Sequence, residues 1–346
     1  MNVVIAAGGT LGHIRPAINV ANKLIQLGHK VYFITLDKNE ININKGDVLK
    51  FDVGIFNRKK LFKNIITIIK NNKVKKEINT FYKNNNIDLV ISFGSAIGTV
   101  AISAALKNKK IKTIIHEQNK VFGFGNKMVY KKVDKVLLTF PIENVNGKVV
   151  GNPVEQFGNY TYYGNKIITH ILITCGTNGA KYINDFFIRN IEYFKNQDKY
   201  AFILIAGDKY YNDNYEKIKK LSCGKFSIYP KQESLVDFYK RAGIIICRSG
   251  STTLSEALGM KKLVITIPSK NVTNNHQYHN ALFYSQKGML EMIPDEKQLD
   301  KDLLMKMIET MIKEKFKYIK SIKENYCDDS IFLFINEINK MWGNNE

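Results

Sequence analysis

Acidic residues are in short supply. Asp and Glu number 31 against 52 Lys and Arg, a formal charge of +21. A surplus of that size points to an anionic partner, which leaves nucleic acid, an anionic membrane surface or a phosphorylated substrate. Lys- and Asn-rich runs such as KNNKVKK at 70–76 and NNNID at 84–88 show that compositional bias supplies part of the charge. Bias does not explain where the charge clusters. Cysteine is sparse too. Cys175, Cys223, Cys247 and Cys327 are scattered, without metal-ligand spacing, which argues against a disulfide framework and fits a reducing compartment. No basic leader precedes the first strand pattern, so no export signal is expected. The charge-free stretch Leu89 to Leu106 is interrupted at Gly94-Ser95. It predicts a buried strand, a glycine loop and a buried helix rather than a membrane span. Neither G-x-G-x-x-G nor G-x-x-x-x-G-K-[ST] occurs, which disfavours hydride transfer and P-loop chemistry. His276 and His279 lie three apart without an apparent third ligand, so no metal site is expected. No short tandem repeat is visible.

What is present is an alternation. The runs VVIAA, VYFIT, DVGIF (52–56), DLVISF, KTIIHE and KVLLTF read as strands. Helical periodicity lies between most of them, as over Ile14 to Leu27 and Ile65 to Tyr82. This is the rhythm of a doubly wound parallel sheet. It lapses into Gly, Asn, Pro and Tyr after Val149, which reads as a linker. It restarts with HILITCGTNGAKYINDFF, YAFILIAG, FSIYP, AGIIICRSGSTTLSEAL and KLVITIPS. After Pro294 the chain reads as amphipathic helix. A length of 346 residues suits two domains of this kind.

The two halves echo each other. Each opens with a strand, a glycine turn and a helix: IAAGGTLGHIRPA, then ITCGTNGAKYIND. A third such turn is IICRSGSTTLSEA. Glycine turns at strand ends leave backbone N–H groups open at helix N-termini, where anions bind. Glycine also merely permits tight turns. Three turns carrying inserted Thr, Ser, Asn or His favour a nucleotide-type ligand.

GGTLGHIRP at 8–16 resembles the GGTxGHxxP loop of the MurG family of glycosyltransferases. Further similar stretches follow in the same order: HEQN at 116–119, GFGNK at 123–127, GNPV at 151–154, CRSGSTTLSEA at 247–257 and NNHQYHNA at 274–281. The resemblance covers nearly the whole chain. It implies an α/β protein of the GT-B class: two Rossmann-like parallel-sheet domains facing across a cleft, with a C-terminal helix crossing back to the first domain. The corresponding segments are 1–155, an acceptor and membrane domain; 156–165, a linker; 166–326, a UDP-sugar donor domain; and 327–346, the returning helix. The implied activity is inverting transfer of N-acetylglucosamine from UDP-GlcNAc to lipid I, a polyprenyl-diphosphate-linked muramoyl peptide, giving lipid II for peptidoglycan. Two alternatives stay open: a related enzyme with another lipid-linked acceptor, or a non-catalytic UDP-sugar-binding membrane protein.

The resemblance also implies roles for residues. Ser249, Gly250, Ser251 and Thr252 open a helix whose N–H groups and hydroxyls suit a diphosphate. Glu256 would accept hydrogen bonds from ribose hydroxyls, although a Glu near the start of a helix also simply favours the helix dipole. Thr177 takes the place of a family serine near the donor phosphates. Gln277 would read hydroxyls of the sugar, and backbone groups near Gln232 would read uracil. Thr10, Gly12 and Asn126 complete the donor set, with Asn126 hydrogen-bonding the acceptor or the reacting sugar. His13, as a neutral imidazole, can take the proton from an attacking hydroxyl; it can equally orient its loop or contact a phosphate. Asp328-Asp329 read as the cap of the last helix. No cofactor or metal is implied, because a helix terminus stabilises the leaving group. The chain departs from the family pattern at Gly94-Ser95-Ala96-Ile97-Gly98-Thr99-Val100, where GGYxSGP is expected, and at Glu155, where the family has Arg.

Arg58 to Lys83 hold nine basic residues and one acid, Glu77. Lys59, Lys60 and Lys63 flank Leu61, Phe62, Ile65, Ile66 and Ile69 in a pattern that fits a peripheral helix on anionic lipid. A core helix with solvated lysines is the plainer reading, with about half of the isoleucines turned to the sheet. The resemblance favours the membrane and a peripheral place on its cytoplasmic face. The aromatic platforms or reading helix that nucleic acid needs are not evident.

Overall fold

The computed structural model describes residues 1–43, 45–55, 61–154, 170–176, 179–232 and 234–343, with the side chains of 61–63 left out. The chain divides into two compact units, Met1–Glu155 with Asp329–Glu346, and Gln156–Asp328. The segment expected as a linker, 156–165, falls outside the described residues.

In the first unit the strands are β1 (Asn2–Ala6), β2 (Lys30–Leu36), β3 (Asp47–Phe51), β4 (Leu89–Ser92), β5 (Lys112–Glu117), β6 (Lys135–Leu138) and β7 (Lys148–Val149). Helices α1 (Leu11–Gln26), α2 (Leu61–Asn84), α3 (Ser95–Ala105) and α4 (Phe124–Val129) lie between them. The sheet is parallel, in the order β3-β2-β1-β4-β5-β6-β7. Both faces are covered, as a parallel sheet requires. Along β1, Val3, Ile5 and Ala7 pack with Ile14, Ala17 and Val20 of α1. Val4 and Ala6 face the other way, toward Ile97 and Ala101 of α3 and Ile78 of α2. The period-two alternation of a strand thus serves two cores.

The stretch 89–106 folds as β4, a glycine turn and α3, the arrangement that argued against a membrane span. The third strand does not form at DVGIF. It is DVLKF, paired Tyr32 to Asp47 through Leu36 to Phe51. This is an edge strand with half-buried side chains, so its apolar signal is weaker than that of the run after it. Gly54 is taken by a side chain instead: its N–H donates to Asn71 Oδ1 at 2.8 Å and its carbonyl accepts from Asn71 Nδ2 at 3.1 Å. The two-residue strand β7 was not anticipated; it is too short to carry a pattern.

The second unit repeats the plan. Its strands are β8 (His170–Thr174), β9 (Ala201–Ile205), β10 (Phe226–Tyr229), β11 (Ile244–Cys247), β12 (Leu263–Thr266) and β13 (Glu291–Met292), parallel in the order β10-β9-β8-β11-β12-β13. The helices are α5 (Lys181–Arg189), α6 (Ile191–Lys195), α7 (Asp208–Asp213), α8 (Tyr215–Leu221), α9 (Val236–Arg241), α10 (Ser251–Gly259), α11 (His276–Gln286), α12 (Lys301–Lys313) and α13 (Lys315–Asn325). Phe187, Phe194, Phe202 and Phe226 fill one core, with rings 5.0–6.4 Å apart.

The last helix, α14 (Ser330–Asn339), belongs to the first unit, where Phe334, Ile335 and Ile338 join the core under α1. Ser330 Oγ donates to the Asn152 carbonyl, and Lys135 Nζ to the carbonyl and Oε2 of Glu337. The expected Asp328-Asp329 cap is not made. Asp329 holds the N-cap position without a side-chain bond, and Asp328 is drawn into an ion pair with Lys261 of the second unit.

Candidate active site

Strand order in the first unit reverses between β1 and β4, and ligands of open α/β sheets sit at such switch points beyond the strand ends. The turns that leave these two strands are Gly8-Gly9-Thr10 and Phe93-Gly94-Ser95. His13 lies in the first turn of α1, and its Nδ1 is 2.8 Å from the Phe93 carbonyl. A carbonyl only accepts, so in the neutral ring Nδ1 carries the proton and Nε2 holds a lone pair. A Cβ added to Gly94, which has φ +84°, would sit 3.4 Å from the His13 ring and 3.7 Å from the Asn126 amide nitrogen. The left-handed backbone is one that glycine adopts without strain, and it brings the three residues together.

Behind them lies a buried network. Asn126 is 4% exposed, and its Nδ2 donates to the His116 carbonyl at 3.1 Å and to Glu117 Oε2 at 2.9 Å. The amide N–H groups of Gly123 and Asn119 also bond the Glu117 carboxylate. Asn126 therefore spends its donors on the loop, and its expected bond to a sugar could come only from Oδ1. Burial pushes the His116 ring down to about 4, against the hydrogen bond to the Gly151 carbonyl. Its Nε2 lies 3.0 Å from that carbonyl, so His116 is a neutral core ring, whereas His13 is only partly buried.

Thr10 is exposed at the N-cap of α1 and makes no cap bond with its side chain; Gly12 follows in the first turn. Sequence reasoning missed Asn39, which clamps the turn. It accepts from the Gly9 N–H at 3.0 Å and donates to the Gly9 carbonyl at 3.1 Å. An Asn beside a glycine loop in space leaves no pattern along the chain.

The switch point of the second unit falls between β8 and β11. The turns there are Cys175-Gly176 with Gly179, and Arg248-Ser249-Gly250; Thr177 lies outside the described residues. A Cβ on Gly179 would meet the Ala206 carbonyl oxygen at 2.1 Å, so that turn excludes any side chain. Gly250 caps α10, and Ser251 and Thr252 form its first turn. The Ser249 hydroxyl leaves the expected phosphate set: it is fully buried and 2.7 Å from Thr266 Oγ1, which in turn donates to the Cys247 carbonyl. It ties β11 to β12.

Glu256 stands in the second turn of α10, whose first turn has no acid, so the helix-dipole reading does not apply. Its Oε2 accepts from the buried Tyr239 hydroxyl at 3.3 Å. Gln277 accepts the Ser269 N–H at 2.9 Å through Oε1, which orients its amide nitrogen. Gln232 Nε2 donates to the neighbouring carbonyls of Pro230 and Lys231, both at 3.3 Å. Arg248 was not anticipated. It donates to the carbonyls of Ile267 and Pro268 and pairs with Glu296, fastening the loop after β12. Burial pushes the Cys175 and Cys247 thiols up, so neither is a nucleophile.

Residues 3–138 match the glycosyltransferase family 28 N-terminal domain, and residues 170–331 match the glycosyltransferase family 28 C-terminal domain. The chain is 31% identical over 338 residues to the Bacillus cereus protein named UDP-N-acetylglucosamine--N-acetylmuramyl-(pentapeptide) pyrophosphoryl-undecaprenol N-acetylglucosamine transferase 1, covering 91% of this chain and 89% of that one. It belongs to the MurG-like glycosyltransferase family 28. A Thermoanaerobacter relative of the same kind is 33% identical over 339 residues, covering 90% of this chain and 91% of its own length. The crystal structure of Acinetobacter baumannii MurG covers 98% of this chain and 99% of its own at a TM-score of 0.78, with 21% identity. That likeness places the fold in the GT-B class.

Against the family pattern, Ser95 is notable. It adopts φ +70° at the start of α3, where the family pattern reads glycine. The basic helix α2 also differs from expectation. Ile65, Ile66 and Ile69 are 56%, 69% and 66% exposed, and Ile68 is exposed as well. None of the four turns to the sheet; Val74, Ile78 and Tyr82, spaced by four, do that. Lys59 and Lys60 and the side chains of Leu61, Phe62 and Lys63 fall outside the described residues. Among the described residues no helix is long and apolar enough to cross a membrane.

Proposed function

We propose that the chain transfers N-acetylglucosamine from UDP-GlcNAc, with inversion, to the C4 hydroxyl of a polyprenyl-diphosphate-linked muramoyl peptide. The observation that carries this reading is the identity, over 91% of the chain, to a relative named for that reaction. His13 supplies the chemistry. Its Nε2 takes the proton as the acceptor oxygen bonds to the anomeric carbon, and the bond from that carbon to UDP breaks. The leaving diphosphate gains charge, and the N–H groups at the start of α10 are the donors that stabilise it. The hydroxyls of Ser251 and Thr252 lie in the same turn, and Thr177 is assigned to the phosphates by the family pattern alone. Glu256 takes the ribose hydroxyls, the Gln277 amide the sugar, and backbone near Gln232 the base. Asn126 holds the loop after β5, beside His13, through the His116 carbonyl and Glu117.

Release of UDP should require the muramoyl-peptide lipid. Release only with a different lipid-linked acceptor would favour the second reading, which Ser95 in the altered glycine loop keeps in view. Binding of UDP-GlcNAc without turnover on any acceptor would replace both with a binding protein.

A lipid acceptor puts the enzyme at a membrane, and the reading places it on the cytoplasmic face as a peripheral protein. The exposed isoleucines of α2, with the lysines before them, form the docking surface. Apolar insertion and attraction to acidic headgroups act together there, the second at about 1 kcal/mol per basic residue and screened by salt. Changing Ile65, Ile66 and Ile69 to Ser should cut co-sedimentation with anionic vesicles at every salt concentration while leaving the fold intact. Equal sedimentation of variant and wild type would move the contact elsewhere.

A further inference from the structure

The residue whose carbonyl fixes His13 is itself held from the far end of the chain. Phe93, at the end of β4, donates its N–H to the Ala6 carbonyl and offers its own carbonyl to His13 Nδ1. Its side chain is fully buried and stacks on Phe334 of α14, with ring centroids 5.6 Å apart and planes 10° apart. His116 closes a triangle, 5.3 Å from Phe93 and 5.6 Å from Phe334. Interiors are close-packed, so three buried rings in contact leave the Phe93 side chain little freedom. Its peptide plane is correspondingly fixed up to Gly94, where the backbone turns.

We propose that Phe334 is a positioning residue for His13: it seats Phe93 so that the Phe93 carbonyl keeps the imidazole proton on Nδ1. This deepens the proposed function and rests on its assignment of His13 as base. The argument is chemical. A neutral histidine in water prefers the proton on Nε2, and in that form Nε2 cannot accept one from a hydroxyl. The carbonyl reverses the preference, but only while it stays in line with Nδ1. Without the stacked ring, Phe93 gains rotamers, its carbonyl swings, and the inactive tautomer is populated. The stack lies in the core of the first unit, so its loss leaves the α10 turn of the second unit untouched.

The test uses the full-length protein with Phe334→Leu, which keeps most of the volume, and Phe334→Met as a second variant should the first fold poorly. Nitrogen-15 shifts of the His13 ring, assigned by comparison with His13→Ala, should show Nδ1–H in the wild type and a mixture of tautomers in the variant. Turnover should fall about tenfold at saturating donor, in the range that small misplacements cost, with the KM for UDP-GlcNAc unchanged. In a His13→Ala background the same substitution should cost nothing further, because it acts through a ring that is gone. An unchanged tautomer pattern, or an equal loss of turnover in both backgrounds, would overturn the inference and leave Phe334 as packing only. Should His13→Ala itself turn over normally, the base assignment falls, while the ring shifts still decide whether Phe334 sets the tautomer.

Discussion

The turn after β1 and the turn after β11 are made of similar residues and held in different ways. After β1 the polar side chains are open: Thr10 is exposed, and His13 is only partly buried. Their order comes from backbone groups, with the Phe93 carbonyl fixing the ring and Asn39 clamping Gly9. After β11 the polar side chains are sunk. Ser249, Ser251, Thr252 and Glu256 are each under 9% exposed, and Ser249 and Glu256 bond to Thr266 and Tyr239. A group that must move a proton needs access and one defined tautomer. A group that holds a diphosphate and a ribose gains more from being fixed before the ligand arrives. The two turns match the two tasks that the proposed function assigns to them.

The largest effect expected is on His13. His13→Ala should lower turnover by about 10²–10⁴, the usual worth of a positioned base, and leave UDP affinity as it was. Loss of UDP affinity in calorimetry instead would put His13 among the binding groups and erase the contrast between the turns. Next comes acid sensitivity of the first turn's support. The folded value of His116 is about 4 and its ordinary value 6.5. Between these two pH values the unfolded chain binds a proton that the native state refuses. Stability should therefore fall as pH drops from 6.5 to 4 and level off below, by about 3 kcal/mol at most from this group. Denaturant titrations at several pH values should show a shallower fall for His116→Gln; equal slopes would mean that the buried ring is not the source.

The second turn is tested by Glu256→Ala. Removing a charged acceptor for ribose hydroxyls should weaken UDP binding by about 1.5–3 kcal/mol, with the fold intact. Unchanged affinity would take Glu256 out of the site and leave it as the partner of Tyr239. The smallest effect separates support from contact. Ser249→Ala should cost about 1 kcal/mol of stability, the typical worth of a hydrogen bond, and leave UDP affinity unaltered. A large loss of affinity would return the Ser249 hydroxyl to the phosphate set.

Much of the site was legible because turns are local. Gly8-Gly9-Thr10, Gly176 to Gly179 and Ser249-Gly250-Ser251 announce themselves by a strand, a glycine and a helix start in succession. DVLKF escaped because an edge strand with half-buried side chains has a faint alternation, beside a stronger apolar run that its glycine disqualifies. The isoleucines of α2 were misjudged for a related reason. Periodicity shows that a helix has a face, but not where the sheet beneath it ends, and the first turns of α2 run past the core.

The sequence by itself determined the two halves of alternating strand and helix and their glycine turns, because strand and helix periods and turn preferences act over a few residues. Only the tertiary structure decided what those residues are free to do. Strand order set the turns after β1 and β4 side by side, and likewise those after β8 and β11. Burial of Ser249 against Thr266 turned an expected phosphate ligand into a strand tie, and the Phe93 carbonyl chose which nitrogen of His13 bears the proton. The physical reason is that a hydrogen bond or a ring stack depends on distances of a few ångströms between atoms that the chain brings together only when its core closes. Phe93 and Phe334 are far apart in the sequence, and nothing local to either says that they meet.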